Sequence, residues 1–223
     1  METVIASLIN KGVDGLIIVP CENSTNYIAS LVKNNVPIVL FDRYFPDINV
    51  SYVAFNNFNG AYTATRHLLD IGYKAPCMVA YDINLIHMKE RIRGYKQAME
   101  DAGKKRSANV IYLKLDTPRK SADRLLPKMI DNQTDAFVFA TNMISLACLY
   151  TLKEMGQAVI DKIGLAGFDG NPAFDFFGAP ISYVQQPVDI LVQKALKILI
   201  ENITNGNTVQ SVLAEGEFIK TPL

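Results

Sequence analysis

The sequence contains no tryptophan, only two histidines and only three cysteines among its 223 residues. Each shortage removes a class of function. Cys21, Cys77 and Cys148 are odd in number, lie far apart and never form Cys-x-x-Cys, which argues against a disulfide framework or a zinc site. They read as reduced packing residues. His67, beside Leu68 in a helical stretch, has no Ser or Cys nucleophile that spacing would pair with it, so it reads as a packing or solvated residue. His87 stands at a loop-to-helix entry, where lining a pocket is the alternative to packing. Neither charge is in excess: 22 Lys+Arg balance 22 Asp+Glu, and bulk electrostatic attraction to nucleic acid is thereby excluded. No apolar run approaches the roughly 18 residues that a membrane span needs. Met1-Glu2-Thr3-Val4-Ile5-Ala6 also lacks the basic region and apolar stretch of a secretory signal, so the expected location is the cytoplasm.

Catalytic motifs are missing as well. There is no G-x-G-x-x-G, no Walker A Gly-Lys-Ser/Thr, no G-x-S-x-G and no H-E-x-x-H. The glycines of Gly164-Leu165-Ala166-Gly167-Phe168-Asp169-Gly170 have the wrong spacing for a dinucleotide site. A binding protein without cofactor or metal is therefore expected, rather than an enzyme.

What is present is an ordinary core-forming composition, 49% hydrophobic and 20% charged. Apolar, β-branched runs without polar alternation predict strands covered on both faces at 14–20, 37–41, 52–55, 76–80, 110–113, 136–140 and 163–168. Between them, stripes at helical spacing predict helices over 3–11, 24–34, 59–71, 88–102, 121–130, 144–155 and 188–203. This alternation is the mark of an α/β fold with mostly parallel sheets, which bind ligands beyond the carboxyl ends of their strands. A doubly wound sheet normally begins with a strand. A chain that opens with a helix at Thr3 therefore reads as one whose front has been removed.

Polar residues stand at those strand ends. Asp42 and Arg43 follow the strand ending at Phe41, Asn142 follows Ala136–Ala140, and Asp169 follows Ile163–Phe168, while Arg91 lies early in the helix of Gly94-Tyr95. Two carboxylates, an amide and a guanidinium suit a polyol, because each forms paired or charge-assisted hydrogen bonds to hydroxyls. Position alone leaves a second reading for Asp42 and Asp169, as caps or turn residues. Without tryptophan, the candidate stacking platforms are Tyr44, Phe45, Phe174 and Phe176, for which packing is the competing role.

Several stretches, in order, resemble the effector-binding core of LacI/GalR-type transcription regulators. They are Val13-Asp14-Gly15-Leu16-Ile17-Ile18-Val19-Pro20, Val36-Pro37-Ile38-Val39-Leu40-Phe41-Asp42-Arg43, Glu90-Arg91-Ile92-Arg93-Gly94-Tyr95-Lys96-Gln97-Ala98-Met99 and Ala140-Thr141-Asn142. Ile163-Gly164-Leu165-Ala166-Gly167-Phe168-Asp169-Gly170 and Pro180-Ile181-Ser182-Tyr183-Val184-Gln185-Gln186-Pro187 complete the series, and the match runs from Thr3 to Pro222. The resemblance implies a periplasmic-binding-protein-like type I fold, N-terminally truncated: two Rossmann-like parallel-sheet subdomains joined by three crossovers, with the effector between them. On this sequence the crossings fall near Asn56, Gln186 and Ala214. The N-subdomain is then 1–56 with 187–213, and the C-subdomain 57–186 with 214–223.

The same resemblance assigns Asp42 as a sugar-hydroxyl acceptor, Arg91 as a guanidinium donor, Asn142 as an amide contact and Asp169 as the second carboxylate. It implies a small sugar or related metabolite as effector, a homodimer, and DNA binding only through a headpiece for which this sequence has no counterpart. The first strand-helix-strand of the core also has no counterpart, so the strand Leu16–Val19 is expected at an open sheet edge. Met143, Asn56 and Gln185 depart from the family's usual Asp, Asp and Arg, which blurs effector identity and domain-closure contacts. A periplasmic sugar-binding protein of a transport system is the alternative with the same fold.

Overall fold

Local sequence decides where each element starts and stops. In a computed structural model, which describes residues 1–221, the chain opens with α1 (Glu2–Asn10), β1 (Leu16–Ile18), α2 (Thr25–Lys33), β2 (Ile38–Phe41) and β3 (Ser51–Phe55). It continues through α3 (Asn57–Asp70), β4 (Pro76–Tyr81), α4 (Ile86–Asp101), β5 (Asn109–Leu113), α5 (Pro118–Asp131) and β6 (Ala136–Phe139). Then come α6 (Asn142–Met155), α7 (Gln157–Ile160), β7 (Gly164–Phe168), a 3₁₀ turn at Pro172–Phe176, β8 (Ile181–Gln185), α8 (Val188–Asn205), β9 (Ser211–Ala214) and β10 (Glu217–Ile219). Pro118 sits in the first turn of α5, where its missing N–H is no loss. Thr141 caps α6 by accepting the Ile144 amide at 3.2 Å. The positions reached by the resemblance at Pro222 and by the second subdomain at Leu223 lie outside the described residues.

Two compact units result, one of residues 1–56, 84–87 and 187–215, the other of 57–83, 88–186 and the described residues from 216 onward. Asn84–His87, placed by sequence with the residues around it, packs in the first unit, where the Asn84 amide donates to the Glu22 carboxylate at 2.7 Å. The sequence division starts the second subdomain at 214, whereas Ala214 is the last residue of β9 in the first.

The first unit is a parallel sheet of order β1-β2-β3-β9, with Leu16, Ile18, Ile38, Leu40 and Val50 packed against Ile5, Ile28 and Leu31 from α1 and α2. As expected of Leu16–Val19, β1 is the end strand. Ile17 and Val19 there are 39% and 48% exposed.

The second unit is a six-stranded sheet of order β10-β8-β7-β6-β4-β5. All pairs are parallel except β10 with β8. Its middle strands bury Met78, Val79, Phe137, Phe139 and Phe168 completely, which is why they read as unbroken apolar runs. Gly94 sets the packing of α4 on α3, because a Cβ there would run into the Phe58 carbonyl. That close approach accompanies the contact of Arg91, one turn earlier in α4, with Asn57 at the start of α3.

One expectation needs correction, and the candidate rings divide between their two readings. Cys77 and Cys148 are buried, but Cys21 is exposed, because it lies in the loop after β1 rather than in a packed element. Among the proposed stacking rings, Tyr44 is taken by Tyr52, parallel at 4.1 Å between centroids, and Phe45 packs on the first core. Phe174 is buried with its ring edge-on to Tyr183, and only Phe176 stands in solvent, 84% exposed.

Candidate functional site

The carboxyl ends of the second sheet converge on Arg91. Its side chain, on the second turn of α4, is 4% exposed. Nε donates to Asn57 Oδ1 at 2.7 Å, and Nη1 donates to the carbonyl of Ala140, just beyond β6. The guanidinium carbon lies over the Phe168 ring, 3.9 Å from its centroid, at the end of β7. Planarity lets one group meet two acceptors in its plane and an aromatic face below, a role that lysine cannot fill. The guanidinium is therefore held rigidly against the ends of two neighbouring strands.

The residues that follow those strands are Asn142 and Asp169. Asn142 opens α6 and is half-buried; it is not the cap, since Thr141 is. Asp169 has φ +59° and its amide donates to the Val184 carbonyl of β8 at 2.8 Å. Gln186 grips both oxygens of the Asp169 carboxylate, the backbone amide at 3.3 Å and the side-chain amide at 2.7 Å. An ionised carboxylate accepts about four hydrogen bonds, so this grip orients it and leaves capacity for ligand hydroxyls.

The first unit repeats the device. Asp42 leaves β2 with φ +64°, its amide donating to the Val53 carbonyl of β3 at 2.9 Å. Arg43 follows, with Nε 3.4 Å from Asp42 Oδ2 and Nη1 donating to the Pro20 carbonyl at 3.3 Å. Neither aspartate caps a helix. Both occupy left-handed backbone, which a non-glycine residue adopts rarely and which recurs at functional sites.

Of the four residues singled out in the sequence, Arg91, Asn142 and Asp169 thus come together at one end of one sheet, and Asp42 belongs to the other unit. Sequence reasoning missed Asn57, Phe168 as the bed of the guanidinium, and Gln186. Asn57 stands 34 positions before Arg91, and only the close packing of α3 on α4 brings them into contact. His87 is 7% exposed in the first turn of α4. His67 does acquire a hydroxyl partner, which spacing could not reveal: Ser182 Oγ lies 3.2 Å from its Nε2, across 115 residues.

The departures noted in the sequence have their own partners. Asn56 donates to Glu215 Oε1 at 2.6 Å, Gln185 Oε1 accepts the Gly170 amide at 3.4 Å, and Met143 is 61% exposed. Among the described residues, no cluster of His, Cys, Asp and Glu is placed to hold a metal ion. Among the described residues, no helix is long and apolar enough to cross a membrane.

Residues 1–221 match the family described as periplasmic binding proteins and sugar binding domain of the LacI family. The chain is 28% identical over 203 residues to the HTH-type transcriptional repressor PurR of Actinobacillus pleuropneumoniae serotype 3, covering 90% of this chain and 60% of that protein. It thus spans about 60% of the length of the curated relatives it matches. Among solved structures, the complex of the transcriptional regulator CelR with cellobiose superposes with a TM-score of 0.85 at 23% identity, over 99% of this chain and 68% of that one. A LacI family transcriptional regulator from Enterococcus faecium with bound ribose gives 0.85 at 20% identity, over 99% and 82%. The fold is therefore the periplasmic-binding-protein-like type I fold.

Proposed function

Because the chain belongs to the family of periplasmic binding proteins and LacI-type sugar-binding domains, and is a ligand-binding domain rather than an enzyme, we propose that it senses a small sugar or related metabolite for a transcription regulator. Arg91 and Asn142 donate to the effector in this reading, and Asp169 accepts from its hydroxyls. Asp42, in the first unit, is a further hydroxyl acceptor in this reading. One observation carries the proposal: a buried guanidinium pinned on Phe168, beside a carboxylate oriented by Gln186, is a preorganised set of polyol contacts. The sugars bound by CelR and by the E. faecium regulator support the chemical class.

The mechanism is a population shift. An effector that prefers one arrangement of the parent protein changes its affinity for operator DNA by the difference in binding free energy, with no covalent step. A homodimer in the cytoplasm, and DNA contact through a headpiece outside this sequence, complete the proposal. The relatives named as transcriptional regulators favour this reading over a transport receptor of the same fold.

The test is thermal denaturation with pentoses, hexoses, disaccharides, sugar phosphates and purines. A compound present at about 100 times its Kd stabilises the folded protein by about 2.7 kcal/mol. Asp169→Asn keeps the shape but replaces one of the two acceptor oxygens by an amide donor, and should abolish the shift. A shift that survives both Asp169→Asn and Asn142→Ala would show that the sugar binds elsewhere.

A further inference from the structure

At the opposite end of the second sheet, where β7 and β8 begin, lies a cavity of about 300 Å³ that the sugar site does not use. That volume is at the lower end of the range for small-molecule sites. Leu68 of α3, Ile71 just beyond it, Ile160, Ile163 and Leu165 form apolar walls. Tyr73 closes one side, its ring lying directly against Gly164, where any side chain would displace it. Polar groups come from His67 and Ser182.

Ser182, on β8, is 4% exposed, so its hydroxyl sits well inside the protein. Its oxygen accepts the Thr221 amide at 3.2 Å and shares a hydrogen bond of 3.2 Å with His67 Nε2. A serine hydroxyl has one donor and two acceptor positions. If it donates to the imidazole, one acceptor position stays open; if the imidazole donates to it, its own proton is free. In either tautomer one hydrogen-bonding position of a buried hydroxyl remains for a ligand. A serine beside a histidine also suggests a nucleophile, but no carboxylate accepts a hydrogen bond from His67 among the described residues, and the Thr221 amide already draws on the serine oxygen. The arrangement is built to hold a molecule rather than to attack one.

We propose that this cavity is a second small-molecule site, taking a neutral compound with an apolar body and one hydrogen-bonding end, of the size of indole. Neutrality follows from the surroundings. His67 is held toward its uncharged form by burial and by Lys220, and the positive charge of Lys220 is opposed by the Asp161 carboxylate at the rim, so neither sign of ligand charge is favoured. The site stands independently of the sugar reading. It touches β7 and β8 at one end, while Phe168, Asp169 and Gln185 occupy the other, so an occupant acts on the strands that carry the candidate effector contacts.

Indole is the probe, and the composition favours its use. With two histidines in the chain, the imidazoles of histidine-labelled protein give only two sets of resonances, and the absence of tryptophan leaves indole emission free of tryptophan background. Saturable movement of the His67 resonances, with those of His87 unmoved, is the expected result. Ala179→Phe, which fills the cavity from its rim, should weaken binding at least tenfold, and Ser182→Ala should weaken it several-fold. No saturable change up to the solubility of indole, or binding unaltered by Ala179→Phe, overturns the proposal. Asp169→Asn serves as the control that separates the two sites: it should leave indole binding intact whether or not any sugar binds.

Discussion

Replacing Arg91 by methionine probes how the site is held. The substitution keeps most of the side chain's length and removes its charge. It strands two acceptors, Asn57 Oδ1 and the Ala140 carbonyl, in surroundings where Asn57 and Arg91 are each 4% exposed. A buried polar group left without its partner costs about 1–3 kcal/mol, and losing a desolvated cation–π contact costs about 2 kcal/mol more. Against this, the guanidinium no longer has to be desolvated, which returns several kcal/mol. The net expectation is a loss of about 2–4 kcal/mol, read as a lower midpoint in urea with an unchanged slope.

A double-mutant cycle with Asn57→Ala isolates the pair. Because a hydrogen bond to a charged group contributes about 1.5–3 kcal/mol, the two losses should fall short of additivity by about that amount. Additivity within about 0.5 kcal/mol would refute the idea that Asn57 positions the guanidinium.

Two further outcomes follow from burial. His67 is held below the usual histidine range by desolvation, then by Lys220, with Asp70 pulling the other way. A folded state that resists protonation gives stability that is full above about pH 6.5 and is lost as pH falls through the folded value. His67→Gln should therefore flatten the acid side of the stability profile just below about pH 6.5; an unchanged profile would contradict the assignment. Thiol titration of the native protein should modify Cys21 rapidly and leave Cys77 and Cys148 protected until unfolding, since burial pushes both upward, Cys77 to about 12. Three fast thiols would count against the packing described for β4 and α6.

Strong periodicity carried most of the fold into view. The central strands β4, β6 and β7 are buried on both faces, so their sequences are continuous apolar runs with sharp turn boundaries. β8, β9 and β10 were not legible as strands: all three carry mixed polarity, and Ser211-Val212-Leu213-Ala214 and Glu217-Phe218-Ile219 are short edge strands as well. The site was legible in outline, because strand ends are where parallel sheets present ligand groups, and Asp42 and Asp169 follow apolar runs directly. What fixes those groups was not. The grip of Gln186 on Asp169 spans 17 residues and that of Asn57 on Arg91 spans 34, distances that no local pattern encodes. Cys21 misled for the converse reason, since residue type predicts burial and loop position overrides it.

The pairing of β3 with β9 has a consequence for how the protein is made. Gln210 meets Ser51 across 159 residues of chain, whereas the second unit, apart from β10, comes from one nearly continuous stretch. At a synthesis rate of about 5–20 residues per second, the first three strands leave the ribosome roughly ten to thirty seconds before their fourth exists. During that interval the apolar faces of β2 and β3 lack α8. The second unit therefore completes its core first, and the first unit is the part of the nascent chain that depends on protection from aggregation.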